Sequence, residues 1–498
     1  MGPIVIRGAS LLTLDEQGTV IDDGELRIDG GVIAYAGPVG EDPEPDDTAT
    51  VIDVPGDVVM PGFANCHTHS YSALLKGSVD KMPLDLFMVG AILGAGSRTA
   101  SDVYLAAKIS ALEMLQSGTT ACLDHFSHRP RHSPDALDAV CRAYADSGIR
   151  AAVAPMFSDL PFRDTIPVTP ADMSKDEVEA LPGTAQDPAP FFEMMENAVD
   201  AWGSHALVDI MLGVDSPQRC SDALLDRGGA FCAAHGIGNH THLLEAKTQW
   251  AMAERRDPRG FVAYLADKGL AGEKSSFAHF IWFTDSDLEM CAQTGVSVVH
   301  NPASNLALGS GIQPLMRLAE AGVPVAFGSD GLNVGHMSMF EKTRLAALLP
   351  RVAEADPDRW ITAGAALRMA CVNGATALGR GGRAGTLEAG QLADLVVLDG
   401  KSVALQPRGD LPTQVLLQET GASVRRVFVG GEEVLQNGVP TRFDPEQTLQ
   451  DASEAALRLT RDNSDFAERL EVHRPGLIAM VRRIVAAEEG PCRIAKLA

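Results

Sequence analysis

The sequence predicts an α/β protein: a (β/α)8 TIM-like barrel, a small β-sandwich domain built from both chain ends, and a C-terminal helical extension. Three observations predict it. Through the middle of the chain, short apolar runs with β-branched residues alternate with longer amphipathic stretches, the rhythm of βα units on a parallel sheet. Strand-like runs with glycine turns stand at both ends, and chain termini often lie close together. From about Pro445 the chain turns charged and helical in pattern.

Taken in order, IVIRGASLLTLD, GELRIDGGVIAYAG and TVIDVPGDVVMPG alternate apolar and polar residues and break at Gly, Asp and Pro. A similar texture returns in AGTLEAGQLADLVVLD and SVRRVFVGGEEVLQNGVP. Residues 1–58 and 385–444 are therefore expected to form one composite β domain. Residues 59–384 carry eight candidate barrel strands: DVVMPGFANCH, TTACLDH, IRAAVAPMF, ALVDIMLGVD, IGNHTHL, SSFAHF, VSVVHNPAS and VPVAFGSD. The Pro/Asp-rich stretch at 158–190 reads as an active-site loop or lid. Residues 445–498 read as a helical extension that can pack on the barrel or mediate oligomer contacts.

At 498 residues the chain has room for two or three domains, and 45% hydrophobic with 21% charged residues suits a globular protein. The 66 acidic residues against 41 basic ones give a formal charge of -25. That balance repels phosphate backbones and anionic membranes, so no nucleic-acid or membrane partner is expected, and it fits a neutral or cationic small substrate. Eight scattered cysteines without a CxxC read as reduced core thiols. No basic segment leads into an apolar one at the N-terminus, and no apolar run approaches the ~20 residues of a membrane span. A cytoplasmic location is the expectation.

Chemistry enters at the predicted strand ends. In His67-Thr68-His69, residues i and i+2 of a strand share a face, so both imidazoles can reach one ion. IGNHTHLLEAK adds His240, His242 and Glu245; SSFAHF adds His279; VPVAFGSDG adds Asp330. The C-terminal end of a barrel strand is where such enzymes place their chemistry. The interval from His242 to Asp330 fits three βα units at roughly 31 residues each, and the longer one from His67 fits four once the 158–190 insertion is counted. Strands one and eight are neighbours in a closed barrel, so strands one, five and eight meet at one mouth.

PGFANCHTHS, HTHLLE, VVHNPASNLALGSG, VAFGSDG, NGATALG and LEAGQLADLVVLD, in this order over roughly residues 1–440, resemble the amidohydrolase superfamily. The matching branch is that of the cytosine, guanine and S-adenosylhomocysteine deaminases and the triazine hydrolases. The resemblance implies that His67, His69, His242 and Asp330 hold one divalent ion, Zn2+ or alternatively Fe2+. It selects His242 over His240, because Glu245 follows three residues later, and it leaves His240 a structural role. It makes Glu245 the proton shuttle, Asp330 the acceptor of the water's proton, and His279 a hydrogen-bond partner of the attacking hydroxide or the substrate. ALVDIMLGVD has no lysine to bridge a second metal.

The implied activity is deamination at an sp2 carbon of an N-heterocycle, with hydrolysis of another C–N or C–Cl bond as the alternative. The implied partner is a small heterocycle, and a homo-oligomer is expected. Two places depart from the deaminase pattern. Asp215, in GVDSPQRCSD, stands where a substrate-contacting His belongs, with Gln218 and Arg219 after it, and Phe87 stands near the place of a Trp. Phe87, Asp215 and Arg219, with Asn301 and Asn305 of VVHNPASN, are the candidate substrate contacts. His300, Asp124 and His125 read equally as support for the site or as plain loop residues. Met337 and Met339 read as core, and His128, His132, His205, His235, His336 and His473 as surface or packing residues.

Overall fold

The structure is a computed structural model describing residues 2–41, 48–94, 96, 98–129 and 131–491. Its centre is a ring of parallel strands: β1 (Phe63–His69), β2 (Thr119–Asp124), β3 (Arg150–Val153 and Met156–Phe157), β4 (Val208–Ile210 and Leu212–Val214), β5 (Asn239–Leu243), β6 (Ser275–His279), β7 (Ser297–His300) and β8 (Val325–Phe327 and Asp330–Gly331). Each pairs in parallel with the next, and Asp330 and Gly331 of β8 pair with Thr68 and His69 of β1, which closes the barrel. Strands covered by helices outside and side chains inside are buried on both faces, which is why they read as short continuous apolar runs.

Two breaks in the strands have visible causes. Pro155, lacking an N–H, separates the halves of β3. Gly328 separates the halves of β8, and a Cβ there would stand 2.3 Å from Asn301 Oδ1 and 2.8 Å from His67 Cβ. Only glycine lets β8 approach β1 this closely.

Among the described residues, nine strands from the N- and C-terminal parts form one further sheet. Its central neighbours are Leu395–Leu398, Val58–Pro61 and Ile4–Leu12, so Val58–Pro61, the first part of the run DVVMPGFANCH, pairs here and not in the barrel. Asp29 pairs with Val32 across Gly30 and Gly31, both at positive φ, a two-residue hairpin turn that matches strand twist. The outer strand Val32–Pro38 folds back, Ile33 N–H donating to the Gln391 carbonyl at 2.8 Å and Ala393 N–H to that of Gly31 at 3.0 Å. The sheet thereby encloses its own core, with Ile6, Leu26 and Ile33 against Leu395, Val397 and Phe428. Arg150 of β3 donates to both carboxylate oxygens of Asp394 at 2.6 and 3.1 Å, a buried tie between barrel and sheet.

Helix Leu411–Gln418 lies between strands of that sheet in sequence, yet Leu411, Val415 and Leu416 join the barrel's core. The last two helices among the described residues are Pro445–Asp462 and Phe466–Ala486. The second buries Leu470, Leu477 and Met480 against Leu86 and Val89 of helix Leu84–Leu93 and against Phe162, Ile166, Met173 and Leu181. Segment 158–190 is thus packed down, and Asp172 accepts from Arg483 at 2.7 Å. Met337 and Met339 are core residues. The seven described cysteines are free and buried, and Cys492 lies outside the described residues. No described helix is long and apolar enough to cross a membrane.

Candidate metal centre

Strand alternation turns His67 and His69 of β1 to the barrel interior, their rings 4.8 Å apart. β5 brings His240 and His242, β6 ends on His279, and β8 resumes at Asp330. His279 and Asp330 sit at φ +70° and +62°, a left-handed backbone costing about 1–3 kcal/mol each, which persists where pairing on both sides enforces it. His69 Nε2 lies 3.2 Å from His242 Nε2 and 3.2 Å from Asp330 Oδ1, and His67 Nε2 lies 3.6 Å from the same oxygen.

The opposite ring nitrogens settle which atoms face inward. His69 Nδ1–H donates to the His125 carbonyl and His242 Nδ1–H to the Asp215 carbonyl, both at 2.7 Å. Carbonyls only accept, so each Nδ1 carries a proton, and in the neutral ring Nε2 presents a lone pair. His67 Nδ1 is 2.8 Å from His240 Nε2, and His240 Nδ1 is 2.7 Å from Ser276 Oγ. A proton on each Nδ1 satisfies that chain and leaves His67 Nε2 a buried lone pair, without a partner among the described residues. Burial, and then the neighbouring imidazoles, push His67 well below the usual histidine range and His242 down to about 3. These are neutral imidazoles, the form that binds metal. Three such nitrogens and one carboxylate oxygen make a donor set that fits a divalent cation of the zinc class.

Two further groups border the centre. His279 Nδ1–H donates to Asn305 Oδ1 at 2.8 Å, which leaves Nε2 to accept, 3.7 Å from Glu245 Oε2 and 3.8 Å from Asp330 Oδ2. Burial, reinforced by the Asp330 carboxylate, pushes the Glu245 carboxyl well above its usual range. Asp330 Oδ2 accepts from Ser304 Oγ at 2.5 Å and Oδ1 from the Gly331 N–H at 2.8 Å, which fixes the carboxylate's orientation.

A match to the amidohydrolase family spans residues 58–434. The chain belongs to the amidohydrolase family. It is 32% identical over 461 residues to a 5'-deoxyadenosine deaminase of Methanosarcina acetivorans, covering 92% of this chain and 99% of that one. It is 31% identical over 464 residues to a 5-methylthioadenosine/S-adenosylhomocysteine deaminase of Desulforamulus reducens, with 92% and 99% covered. An adenosine deaminase structure from Xanthomonas campestris with bound zinc superposes with a TM-score of 0.81 at 25% identity, covering 92% of this chain and 98% of that one.

Above the centre this amidohydrolase has a pocket walled by Tyr71, Phe87, Met156, Asp215, Arg219 and Leu308. Phe87, Asp215 and Arg219, candidate substrate contacts from the sequence, line it. Asn301 and Asn305 do not: Asn305 is buried behind His279, and Asn301 is buried beside Gly328. Burial would raise the Asp215 carboxyl, but Arg219 at 3.4 Å and Arg129 at 3.3 Å hold it below the usual range. Sequence reasoning missed Tyr71, Arg129 and Ser304. Tyr71 stands two residues beyond His69, on the short helix Ser70–Leu75, and was the findable one. His125 proves to contribute its carbonyl to His69, while Asp124 accepts from the Ser70 N–H at 3.1 Å and the Tyr144 hydroxyl at 2.9 Å, bracing the chain after β1.

Proposed function

We propose that this amidohydrolase deaminates an amino-bearing ring carbon of an adenine-type or related N-heterocycle at a centre where His67, His69, His242 and Asp330 hold one Zn2+. An ion so held supplies hydroxide at neutral pH by lowering the pKa of water to about 7. Asp330, oriented by Ser304, accepts a proton from the attacking water. His279 Nε2 accepts a hydrogen bond from the same water. The protonated Glu245 carboxyl delivers its proton to the ring nitrogen beside the attacked carbon, and a proton carried to the amino group lets it leave as ammonia. Water and the aminated ring thereby become a ring carbonyl and ammonia.

The observation that carries this reading is the approach of His67 Nε2 and His69 Nε2 to Asp330 Oδ1 and of His242 Nε2 to His69 Nε2, with Glu245 Oε2 3.7 Å from His279 Nε2. The relatives named as deaminases of adenosine derivatives support the choice of reaction. The test is ammonia release from 5'-deoxyadenosine, 5-methylthioadenosine, S-adenosylhomocysteine, adenosine and guanine, with the metal content of the protein measured alongside. We expect ammonia from at least one compound and close to one zinc per chain. Zinc-loaded protein that frees no ammonia from any of them refutes the deaminase reading.

A further inference from the structure

Helix Pro302–Ala307, which begins directly after β7, sends two consecutive side chains to the groups around the attacking water. Ser304 Oγ donates to Asp330 Oδ2, and Asn305 Oδ1 accepts from His279 Nδ1–H at 2.8 Å. Neither lines the pocket, and the deamination chemistry gives no part to Asn305 or to His300 behind it.

The proton of a neutral His279 has two possible seats, and they do opposite things. On Nδ1 it leaves Nε2 to accept from the attacking water; on Nε2 it makes the ring a donor to that water. Nε2 is buried without a hydrogen-bond partner among the described residues. The carboxyl oxygens of Glu245 and Asp330, 3.7 and 3.8 Å from it, would favour a proton on Nε2. The opposite choice is therefore enforced at Nδ1.

There the partner is an amide, which has an accepting end and a donating end. With its oxygen toward His279 it requires Nδ1–H; turned over, it would offer N–H to Nδ1 and send the proton to Nε2. The far end of the amide decides which way it stands. Asn305 Nδ2 lies 3.5 Å from His300 Nδ1. Burial, and then His279, push His300 down to about 3, so it is a neutral ring whose Nδ1 lone pair suits the NH2 end and repels the oxygen. The frame around both residues is closed. Asn305 is buried, its N–H donates to the Asn301 carbonyl at 3.0 Å, and its carbonyl accepts from the Ser310 N–H at 2.8 Å. His279 stands at φ +70° with its carbonyl bonded by Gln313 Nε2.

We propose that Asn305 is a positioning residue: its amide, set by His300, keeps the His279 proton on Nδ1 and so keeps the Nε2 lone pair on the attacking water. This rests on the deamination reading for what His279 does.

The test compares metal-loaded variants on a compound that wild type deaminates. Asn305→Leu removes the acceptor at similar volume, whereas Asn305→Asp offers oxygen at both ends. Leu is expected to lower kcat by about 10- to 100-fold, the worth of one oriented hydrogen bond to a reacting group, with KM and zinc content close to wild type. Asp retains most of kcat. A residue that only packs gives the reverse order, because burying the charge of Asp costs more than burying Leu. His300→Phe frees the amide to turn over and lowers kcat by about 3- to 10-fold. In the Asn305→Asp background the same substitution has no further effect, since a carboxylate has no wrong end. Leu matching or exceeding Asp, or a His300→Phe loss that persists in the Asn305→Asp background, overturns the proposal. If wild type deaminates nothing, that reading fails by itself, and 15N NMR of histidine-labelled protein decides. A His279 proton on Nδ1 in wild type and Asn305→Asp, but shifted toward Nε2 in Asn305→Leu, upholds the proposal; one tautomer in all three overturns it.

Discussion

Replacing Glu245 by Gln isolates one proton. The side chain is 3% exposed, and its nearest polar neighbours are Ser310 Oγ at 3.5 Å and His279 Nε2 at 3.7 Å. Its backbone N–H is held by Gln249 Oε1 at 2.8 Å, a contact the substitution leaves alone. Burial and Asp330 push the carboxyl above its usual range and so favour its neutral form, and Gln is neutral and of the same shape. The folding cost should stay within about 1 kcal/mol. Glu245 is also outside the set of four converging donor atoms, so zinc content should match wild type. What disappears is the proton relay. Positioned acid–base catalysis is worth about 10²–10⁴ in rate, or roughly 3–5.5 kcal/mol at 1.36 kcal/mol per tenfold. We expect ammonia release at saturating substrate to drop by that factor in fully metal-loaded protein. A kcat within threefold of wild type, at equal zinc content, refutes the assigned role.

Three further outcomes follow from the same structure. Asp330→Asn keeps the shape but removes the one anionic donor, so zinc content falls below one per chain and turnover falls with it; elemental analysis showing full, tightly held zinc and normal activity contradicts the ligand role. Asp394→Asn leaves the buried Arg150 without its anion and should cost about 3–5 kcal/mol in denaturant unfolding, whereas Arg150→Met with Asp394→Leu recovers much of it; a single variant within 1 kcal/mol of wild type, by the same rough scale, sinks the argument. Hydrogen bonds from Arg483 draw the Asp172 carboxyl down to about 2, so its contribution is complete above the unfolded value of 3.8 and is lost as pH falls towards 2. Solvent on the Arg483 side limits that contribution to about 1 kcal/mol, and an Asp172→Asn stability difference that does not shrink between neutral and strongly acidic pH refutes it.

The barrel strands were legible because parallel strands buried on both faces need β-branched, uninterrupted apolar runs, and few other structures do. His67 and His69 were legible because strand alternation puts i and i+2 on one face. The same logic misled at DVVMPGFANCH, one apolar run shared by two sheets: Val58–Pro61 faces the strands of the chain ends and Phe63–His69 faces the barrel, with only Gly62 between them. Asn301 and Asn305 looked like substrate contacts because they follow a barrel strand, but the helix Pro302–Ala307 begins at once and turns Asn305 back beneath His279. Asp215 was placed correctly, yet its partner Arg129 lies 86 residues away on a different loop, and no local pattern encodes that distance.

Charge shows most clearly where sequence stops. The net value of -25 is a sum over a surface and led to the expectation of a neutral or cationic substrate. A binding pocket responds to the few charges that are desolvated around it, because a buried pair interacts through a far lower dielectric than the screened surface does. Here the desolvated groups are Arg98, Arg219 and the partly covered Arg129 against Asp215 and Asp330, while burial holds Glu245 and Asp85 above the usual carboxyl range. The overall charge therefore does not set the sign of the field in the pocket, which comes from these few groups. The acidic surface acts on any charged substrate only at long range, where added salt screens it.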